Sequence, residues 1–417
     1  MNRPALGVAL GSLLLVLGCG RAEKPQEAPA PQETPNAGEQ AVAAGGQSTL
    51  GAHFRALSLK DRQQLDPPPA GGIVIVEVLS RGPAQKARLA SGDVILAVDG
   101  AAVKGLCDFY QSLGQRPPGQ EVKLSIQRRN ATFDASVTLA PIGDLYEVSC
   151  LTGGGAGCLL LGWAKGPGPE AVALFEKSCQ LGLGDGCGVA GAAYLDGNGI
   201  AKDEPRAATL YERGCLLGSA PSCTSIAYQY ATGRGVLRDD ERSLSFYVKG
   251  CDEGDPSGCY NVGLMLDDGR GVERDHPRAI QAYEKGCEGG SSLACTNLGY
   301  LFDHGDGVPQ DDARAAALYG QACETDACVD SDPKGCANLG IFYRRGRGVA
   351  EDKARAVALF ERACGESEPY SCLYLGEMLE TGEGVAKDEA RAADLYRKSC
   401  QGGYQPGCEA AERVGGR

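Results

Sequence analysis

Histidine is scarce in this 417-residue chain: there are three, and none stands in a His-Glu-x-x-His frame. No Cys-x-x-Cys pair occurs either. Those absences remove two patterns by which zinc sites are recognised. Positive charge is also short, with 41 lysines and arginines against 54 aspartates and glutamates, for a net charge of −13. Nucleic acids and anionic bilayers attract clustered Lys and Arg, so neither is expected as a main partner. A serine acylation site needs Ser-x-x-Lys together with Ser-Asp-Asn and Lys-Thr-Gly. The first occurs once, at Ser331-Asp332-Pro333-Lys334 with a proline inside it, and the other two do not occur. The expectation is no catalytic residue, no cofactor and no metal.

What the chain has in quantity is cysteine, 19 copies, most of them in a regular register. Pairs eight positions apart stand at Cys179/Cys187, Cys215/Cys223, Cys251/Cys259, Cys287/Cys295, Cys364/Cys372 and Cys400/Cys408. Their first members advance by 36 residues through 179, 215, 251, 287 and 323. A fixed period of that length marks a solenoid, in which each unit buries its apolar face on the next. The register breaks at Cys323, whose partner Cys336 stands thirteen positions on; this five-residue insertion carries Cys328. Upstream, Cys150/Cys158 keep the spacing, but the step to Cys179 is seven residues short, so 150–178 reads as a degenerate capping repeat ahead of an array over 179–417. A cysteine pair recurring along a helical array is read as a bridge rather than a zinc ligand pair. Such bridges persist outside the reducing cytosol. Setting Cys19 aside, the eight pairs leave Cys107 and Cys328, which could bridge the two domains.

The N-terminus reads as a targeting segment. Arg3 precedes an apolar run from Ala5 to Leu17, 13 residues and too short to span a bilayer. It ends in Val16-Leu17-Gly18-Cys19, which resembles a bacterial lipobox. The resemblance implies a signal peptide over 1–19, lipidation of Cys19, and membrane contact through that N-terminal lipid only. Residues 20–48, with Pro25, Pro29, Pro31 and Pro35 among Gln, Glu and Ala, cannot bury a core and read as an extended tether.

Between 49 and 142 the pattern changes to short strands. Thr49–Ser58 is strand-like, Gly72–Val78 is a β-branched run, and Ser91–Gly100 is a turn, a buried strand and a turn. Leu106, Phe109, Tyr110 and Leu113 fall at helical spacing, and Glu121–Arg128 with Thr132–Leu139 alternate as a hairpin. Together with Leu50-Gly51-Ala52, Gly82-Pro83-Ala84, Ala87, Gly92–Gly100 and Val103, this order resembles a PDZ domain of the periplasmic-protease type. No Gly-x-Ser-Gly nucleophile segment accompanies it. The resemblance implies binding of peptide C-termini: amides near Leu50, Gly51 and Ala52 would hold the carboxylate, and Ala52, Phe54, Phe109 and Leu113 would line the pocket for the last side chain.

In the array each unit reads as two helices. Helix A is placed at the second cysteine of a pair, as in Cys259–Leu266, and ends at a Gly-x-Gly turn such as Gly197/Gly199 or Gly269/Gly271. The turn glycines are read as helix terminators with positive φ, not as a phosphate cradle, because no strand precedes them. An Asp in fixed register (203, 239, 275, 311, 352, 388) is assigned as the N-cap of helix B, and Pro205 and Pro277 fit its first turn. Ala207, Leu210, Tyr211 and Cys215 form the buried stripe of helix B. Gly263, Gly299, Gly340 and Gly376 fit close helix crossing. The pattern is similar to the secreted, cysteine-rich form of Sel-one-like repeats, a branch of the tetratricopeptide superfamily. Such families are mainly scaffolds and peptide-binding adaptors. Asn261, Asn297 and Asn338 share one register position, and either hold an extended peptide's backbone, as in related repeats, or bond locally.

The expected fold class is multidomain: a small β-rich PDZ domain and an all-α solenoid of helix-turn-helix repeats clamped by disulfides. The expected function is an envelope-anchored adaptor for extracytoplasmic proteins or peptide C-termini, on the periplasmic or outer-membrane face of a bacterium. The competing reading, carried by cysteine-rich relatives, is a β-lactam-hydrolysing or penicillin-binding enzyme.

Overall fold

The computed structural model describes residues 48–57, 61–62, 64–69, 71–113, 116–141, 143–323 and 331–415. Cys19, the leader, the tether up to residue 47 and Cys328 lie outside them, as does the side chain of Cys107. No helix among the described residues is long and apolar enough to cross a membrane.

The first domain is a β-sheet closed by two short helices. Strands β1 (Ser48–Thr49) and β8 (Ala140–Pro141) pair with each other. The larger sheet runs β2 (Ala52–Ala56), β3 (Ile73–Val78), β4 (Val94–Val98), β6 (Glu121–Arg128), β7 (Ala131–Thr138), with β5 (Ala101–Ala102) on β4. All these pairings are antiparallel. Alternation along β6 sends Val122, Leu124 and Ile126 inward, where they are fully buried. They meet Ile73, Ile75, Ile95 and Val98 from β3 and β4. Helix α1 (Pro83–Lys86) and helix α2 (Leu106–Leu113) close this core through Ala84 and Phe109.

The array begins with a single helix, α3 (Gly143–Leu151), followed by seven antiparallel pairs. These are α4/α5 (Gly155–Lys165, Pro169–Gln180), α6/α7 (Gly184–Asp196, Glu204–Leu216), α8/α9 (Ala220–Thr232, Asp240–Asp252) and α10/α11 (Pro256–Asp268, His276–Glu288). Next come α12/α13 (Ser292–His304, Asp312–Cys323), α14/α15 (Pro333–Arg345, Lys353–Gly365) and α16/α17 (Pro369–Thr381, Glu389–Gln401). Helix α18 (Gln405–Gly415) ends the described chain.

Helix A does not start at the second cysteine of a pair, and the correction is the same in every unit. Cys158, Cys187, Cys223 and Cys259 each stand three residues inside α4, α6, α8 and α10. Cys295, Cys336, Cys372 and Cys408 stand likewise inside α12, α14, α16 and α18. In several units the physical reason is visible: a helix opens where its first free N–H groups find an acceptor or need none, and a cysteine side chain supplies neither. Asp255 accepts from the Ser257 N–H, and Asp332 from Lys334, with proline in the first turn where no donor is needed. Helix B is capped by the expected aspartates; Asp203 Oδ1 accepts from the Arg206 N–H at 3.0 Å, and all six positions repeat this bond.

The Gly-x-Gly turn does two jobs. Gly269 ends α10 at φ 73°, in the left-handed region that disfavours a side chain. Gly271 has φ 70°, and a Cβ there would also stand 2.4 Å from the Asp240 carbonyl oxygen in the preceding unit. The helix A glycines pack against one buried ring per unit. A Cβ on Gly263 would lie 2.4 Å from Tyr283, on Gly340 2.7 Å from Phe360, and on Gly376 2.6 Å from Tyr396. Those rings are fully buried, so each unit's two helices meet over an aromatic face pressed onto bare backbone.

The seven residues missing from the first unit come from three places. The connector between its helices is residues 166–168 instead of seven residues such as 197–203, helix α4 is 11 residues instead of 13, and α5 is 12. Its helix B starts at Pro169, and Gly168 before it supplies no side-chain cap. The solenoid is already open at α3, seven residues before the expected cap begins.

Eight disulfides join helix B of one unit to helix A of the next, or α3 to α4, and they use the expected partners. Cys150 is bonded to Cys158, Cys179 to Cys187, Cys215 to Cys223 and Cys251 to Cys259. Cys287 is bonded to Cys295, Cys323 to Cys336, Cys364 to Cys372 and Cys400 to Cys408. Because each second cysteine lies one turn inside helix A, its sulfur is carried under the preceding helix end; Cys158, Cys187, Cys223 and Cys336 are 0 % exposed. Each bridge closes a small loop and is worth about 2.5 kcal/mol by chain-entropy reasoning. Neighbouring units are further tied by ion pairs thirty residues apart, Arg314 to Glu284 at 2.9 Å and Arg391 to Glu361 at 2.7 Å. These are exposed pairs and contribute well under 1 kcal/mol each.

Candidate functional site

Strand β2 forms one end of the larger sheet, paired with β3 alone among the described residues. Helix α2 packs beside it, with the rings of Phe54 and Phe109 4.7 Å apart. Gly51 makes the turn into β2 at φ 69°, and its N–H donates to Thr49 Oγ1 at 3.0 Å. The Gly51 carbonyl accepts from Leu79 N–H, and the Leu50 carbonyl from Ala84 N–H.

Four of the six residues expected to hold a peptide are core residues. Leu50, Ala52, Phe54 and Phe109 all belong to the central cluster, and Phe109 is 0 % exposed. Leu113 is half-buried on the rim. The Phe54 and Phe109 rings pack on each other inside the core where β2 and α2 meet. A lysine at 109 would place a charge in the core rather than at a pocket mouth.

The other face of β2 is turned to the array. His53, 7 % exposed, donates from Nε2 to Asp185 Oδ2 at 2.9 Å, in the first turn of α6. Burial pushes the Asp185 carboxyl up, but the hydrogen bond and charge of His53, with the Ser219 hydroxyl, more than offset it and hold Asp185 below the ordinary range. Arg55, two residues along, pairs with Asp61 at 2.8 Å and is acted on by the charges of Asp185 and Glu253. Glu77 Oε2 accepts from the Ala156 N–H of α4 at 3.0 Å. Leu79 packs with Tyr146, Ala156 and Leu160, and the Leu145 side chain of α3 lies 3.0 Å from where a Gly51 Cβ would be. The first units of the array therefore press against both the turn and the strand of the expected groove. Nothing in the sequence marks His53, Asp185 or Leu145. His53 and Asp185 are 132 residues apart, and no spacing rule links them.

The asparagine register bonds locally. Asn261 Nδ2 donates to Ser257 O in its own helix, Asn297, 5 % exposed, donates to Tyr283 Oη, and Asn338 Oδ1 accepts from Tyr370 Oη. Ser331 stands before α14 and donates to Glu366 Oε2 at 3.0 Å, while Lys334 is inside the helix. The two do not share a helical turn. Among the described residues no three His, Cys, Asp or Glu side chains are grouped as a metal site.

Comparison with known proteins divides the chain at the same place. The PDZ domain model matches residues 48–139. The Sel1 repeat model matches seven segments, 158–183, 187–219, 220–255, 256–291, 292–324, 333–366 and 369–404. Among curated proteins the magnetosome formation protease MamE of Magnetospirillum gryphiswaldense is 31 % identical over 112 residues, 26 % of this chain and 14 % of its own. A probable periplasmic serine endoprotease DegP-like of Pseudomonas putida is 38 % identical over 90 residues, 21 % of this chain and 18 % of its own. The chain thus spans under a fifth of either relative's length. Among solved structures, a protective antigen of uropathogenic Escherichia coli is similar with a TM-score of 0.56 and 26 % identity, over 64 % of this chain and 58 % of that one. A Sel1 repeat protein from Oxalobacter formigenes gives 0.51 and 26 %, over 56 % and 93 %. With the repeat model covering more than half its length and the helix pairs in matching register, the chain belongs to the Sel1 repeat family and carries a PDZ domain ahead of the repeats.

Proposed function

We propose that the protein is an envelope-anchored adaptor that holds peptide C-termini on its PDZ domain and presents them against a rigid repeat array. One observation carries this reading: β2 is paired on one side only among the described residues, with α2 lying beside it. An extended peptide adds to such an edge as another strand, its main chain supplying affinity and its alternate side chains specificity. The disulfides suit an oxidising compartment. Cys19 as lipid attachment would keep the protein on a bacterial membrane facing such a compartment. The proteases in the comparison match over the PDZ region alone, and Ser331 bonds Glu366 with Lys334 set apart from it, so the adaptor reading is preferred over hydrolysis.

Two measurements test this. A C-terminal peptide library panned on the full chain should select apolar terminal residues; no selection would overturn the peptide reading. Cys19→Ala should move the protein from the membrane fraction to the soluble one, and retention in the detergent phase would refute the lipid anchor.

A further inference from the structure

Seven large apolar side chains are exposed among the described residues, and five of them share one place in the repeat. Val148 and Leu151 end α3, Leu181 follows α5, and Leu216 and Leu217 end and follow α7. Leu151 and Leu216 are 72 % and 73 % exposed. The three helix ends are neighbours in space. A Cβ on Gly155, at the start of α4, would lie 3.7 Å from Leu181 Cβ. One on Gly184, at the start of α6, would lie 2.8 Å from the Gly214 carbonyl oxygen of α7. The leucines therefore form one strip along the cysteine-turn edge where the array begins, of the kind that marks an interaction surface. Of the other two, Leu293 stands two cysteine loops further on, and Leu237 lies at the opposite edge between α8 and α9.

The strip is locally cationic. Lys177 and Arg213 hold the same register in α5 and α7, with Leu181 and Leu217 four residues on. Between paired cysteines the first three loops hold a single acid, Asp185, and His53 engages it. The fourth loop alone holds Asp252, Glu253 and Asp255, and Lys249 precedes them on α9. In later units the basic register serves the fold: Lys285 pairs with Asp252 at 3.7 Å, and Lys398 donates to the Cys364 carbonyl oxygen at 2.6 Å. Lys177 and Arg213 make no such bond among the described residues. Glu147, Glu176 and Glu212 stand one position earlier, turned about 100° around the helix, and Glu176 is held by Arg206. The chain also enters the fold at the first helix of this strip, since Ser48 pairs with Pro141 and α3 opens at Gly143. Residues 20–47 reach at most on the order of 100 Å. A tether of that length holds the strip at high effective concentration beside whatever anchors Cys19.

We propose that this strip is a second membrane contact: its leucines enter the headgroup boundary of an anionic bilayer, and Lys177 and Arg213 reach the lipid phosphates. This rests on the lipid anchor at Cys19 and adds the face that lies down once the lipid is in place. Apolar side chains at an interface and basic ones beside anionic lipid reinforce each other. The net charge of −13 opposes approach. Screening confines that repulsion to about 8 Å at physiological salt, and the acidic loops lie further along the array. Without the anchor so few leucines bind weakly, so Cys19→Ala still releases the chain.

The test places the full, membrane-bound chain in vesicles of phosphatidylglycerol and phosphatidylethanolamine whose acyl chains carry bromine, a short-range quencher of tryptophan. Leu216→Trp and Leu237→Trp each add one exposed ring, at opposite edges, read against the wild-type chain with its single Trp163. Quenching of the added ring should be roughly threefold stronger in Leu216→Trp than in Leu237→Trp. Adding Lys177→Gln and Arg213→Gln to Leu216→Trp should cut that excess by about half, as should phosphatidylcholine in place of phosphatidylglycerol. Equal quenching in the two chains overturns the proposal, and so does an excess indifferent to both charge changes. Emission from Leu216→Trp that shifts with protein density, without lipid quenching, assigns the strip to a second copy of the chain and overturns it as well. A chain that stays out of the vesicles altogether refutes the anchor at Cys19, and this inference falls with it.

Discussion

The PDZ domain and the repeat array solve the same problem, burying enough apolar surface, in opposite ways. The PDZ core is one cluster assembled from residues between Leu50 and Leu139, with strands paired far from their sequence neighbours. The array has several small cores, each drawn from adjacent units, such as that of Ala207, Tyr211 and Ile226. Small cores bury little, and disulfides make up the difference between units. The lesson is that damage should spread through the PDZ domain but stay within a unit or two of the array.

Reduction is the sharpest way to break the comparison. Removing all eight bridges should lower the array's thermal midpoint by tens of degrees, at about 2.5 kcal/mol for each loop released. Hydrogen exchange should meanwhile leave amides of β3, β4 and β6 protected, since no described bridge joins them. Loss of protection in both regions together would show one cooperative unit. The converse is Phe109→Lys, which buries an unpaired charge at a fully enclosed position and should cost several kcal/mol in the PDZ domain alone. Its amides should exchange rapidly while those of α10 to α17 do not. A milder break is Gly263→Ala. The added methyl meets the Tyr283 ring at 2.4 Å, and ring displacement should cost about 1–3 kcal/mol, felt in α10 and α11.

The smallest expected effect is a pH dependence. Burial, with the nearby Asp332 charge and against Lys334, pushes the Glu368 carboxyl up to about 7 from its ordinary 4.5. Between those two values the folded form keeps a proton that the unfolded chain has lost, so stability falls as pH rises through this window. Melting of the array should decline by on the order of 1 kcal/mol from pH 5 to 7.5, and Glu368→Gln should flatten the curve. A wild-type profile that is level or rising would contradict it.

Local grammar is legible in the sequence. Periodicity places the limits of α2 and β6 correctly, and register alone places the aspartate caps and the cysteine partners. The start of helix A is not legible from the cysteines, because the signal sits in the Asp255 or Asp332 ahead of them. The candidate groove is legible only as a set of residues. That Phe54 and Phe109 are buried against each other follows from how two distant segments pack, and that Asp185 covers His53 follows from how two domains dock. Neither contact leaves a periodic trace. Asn297 is ambiguous for a related reason, since a shared register does not say whether a side chain points at a neighbour or at a ligand.

The Cys323–Cys336 bridge joins residues thirteen apart, yet its Cα atoms are separated by 4.5 Å, as in the eight-residue Cys215–Cys223 bridge. The cysteines act as a drawstring. Extra residues can be inserted between the two cysteines while the Cα separation across the bridge stays the same. The same hem meets β2 where Asp185 bonds His53. An array built this way can acquire new loops along one border while the helices behind keep their stacking.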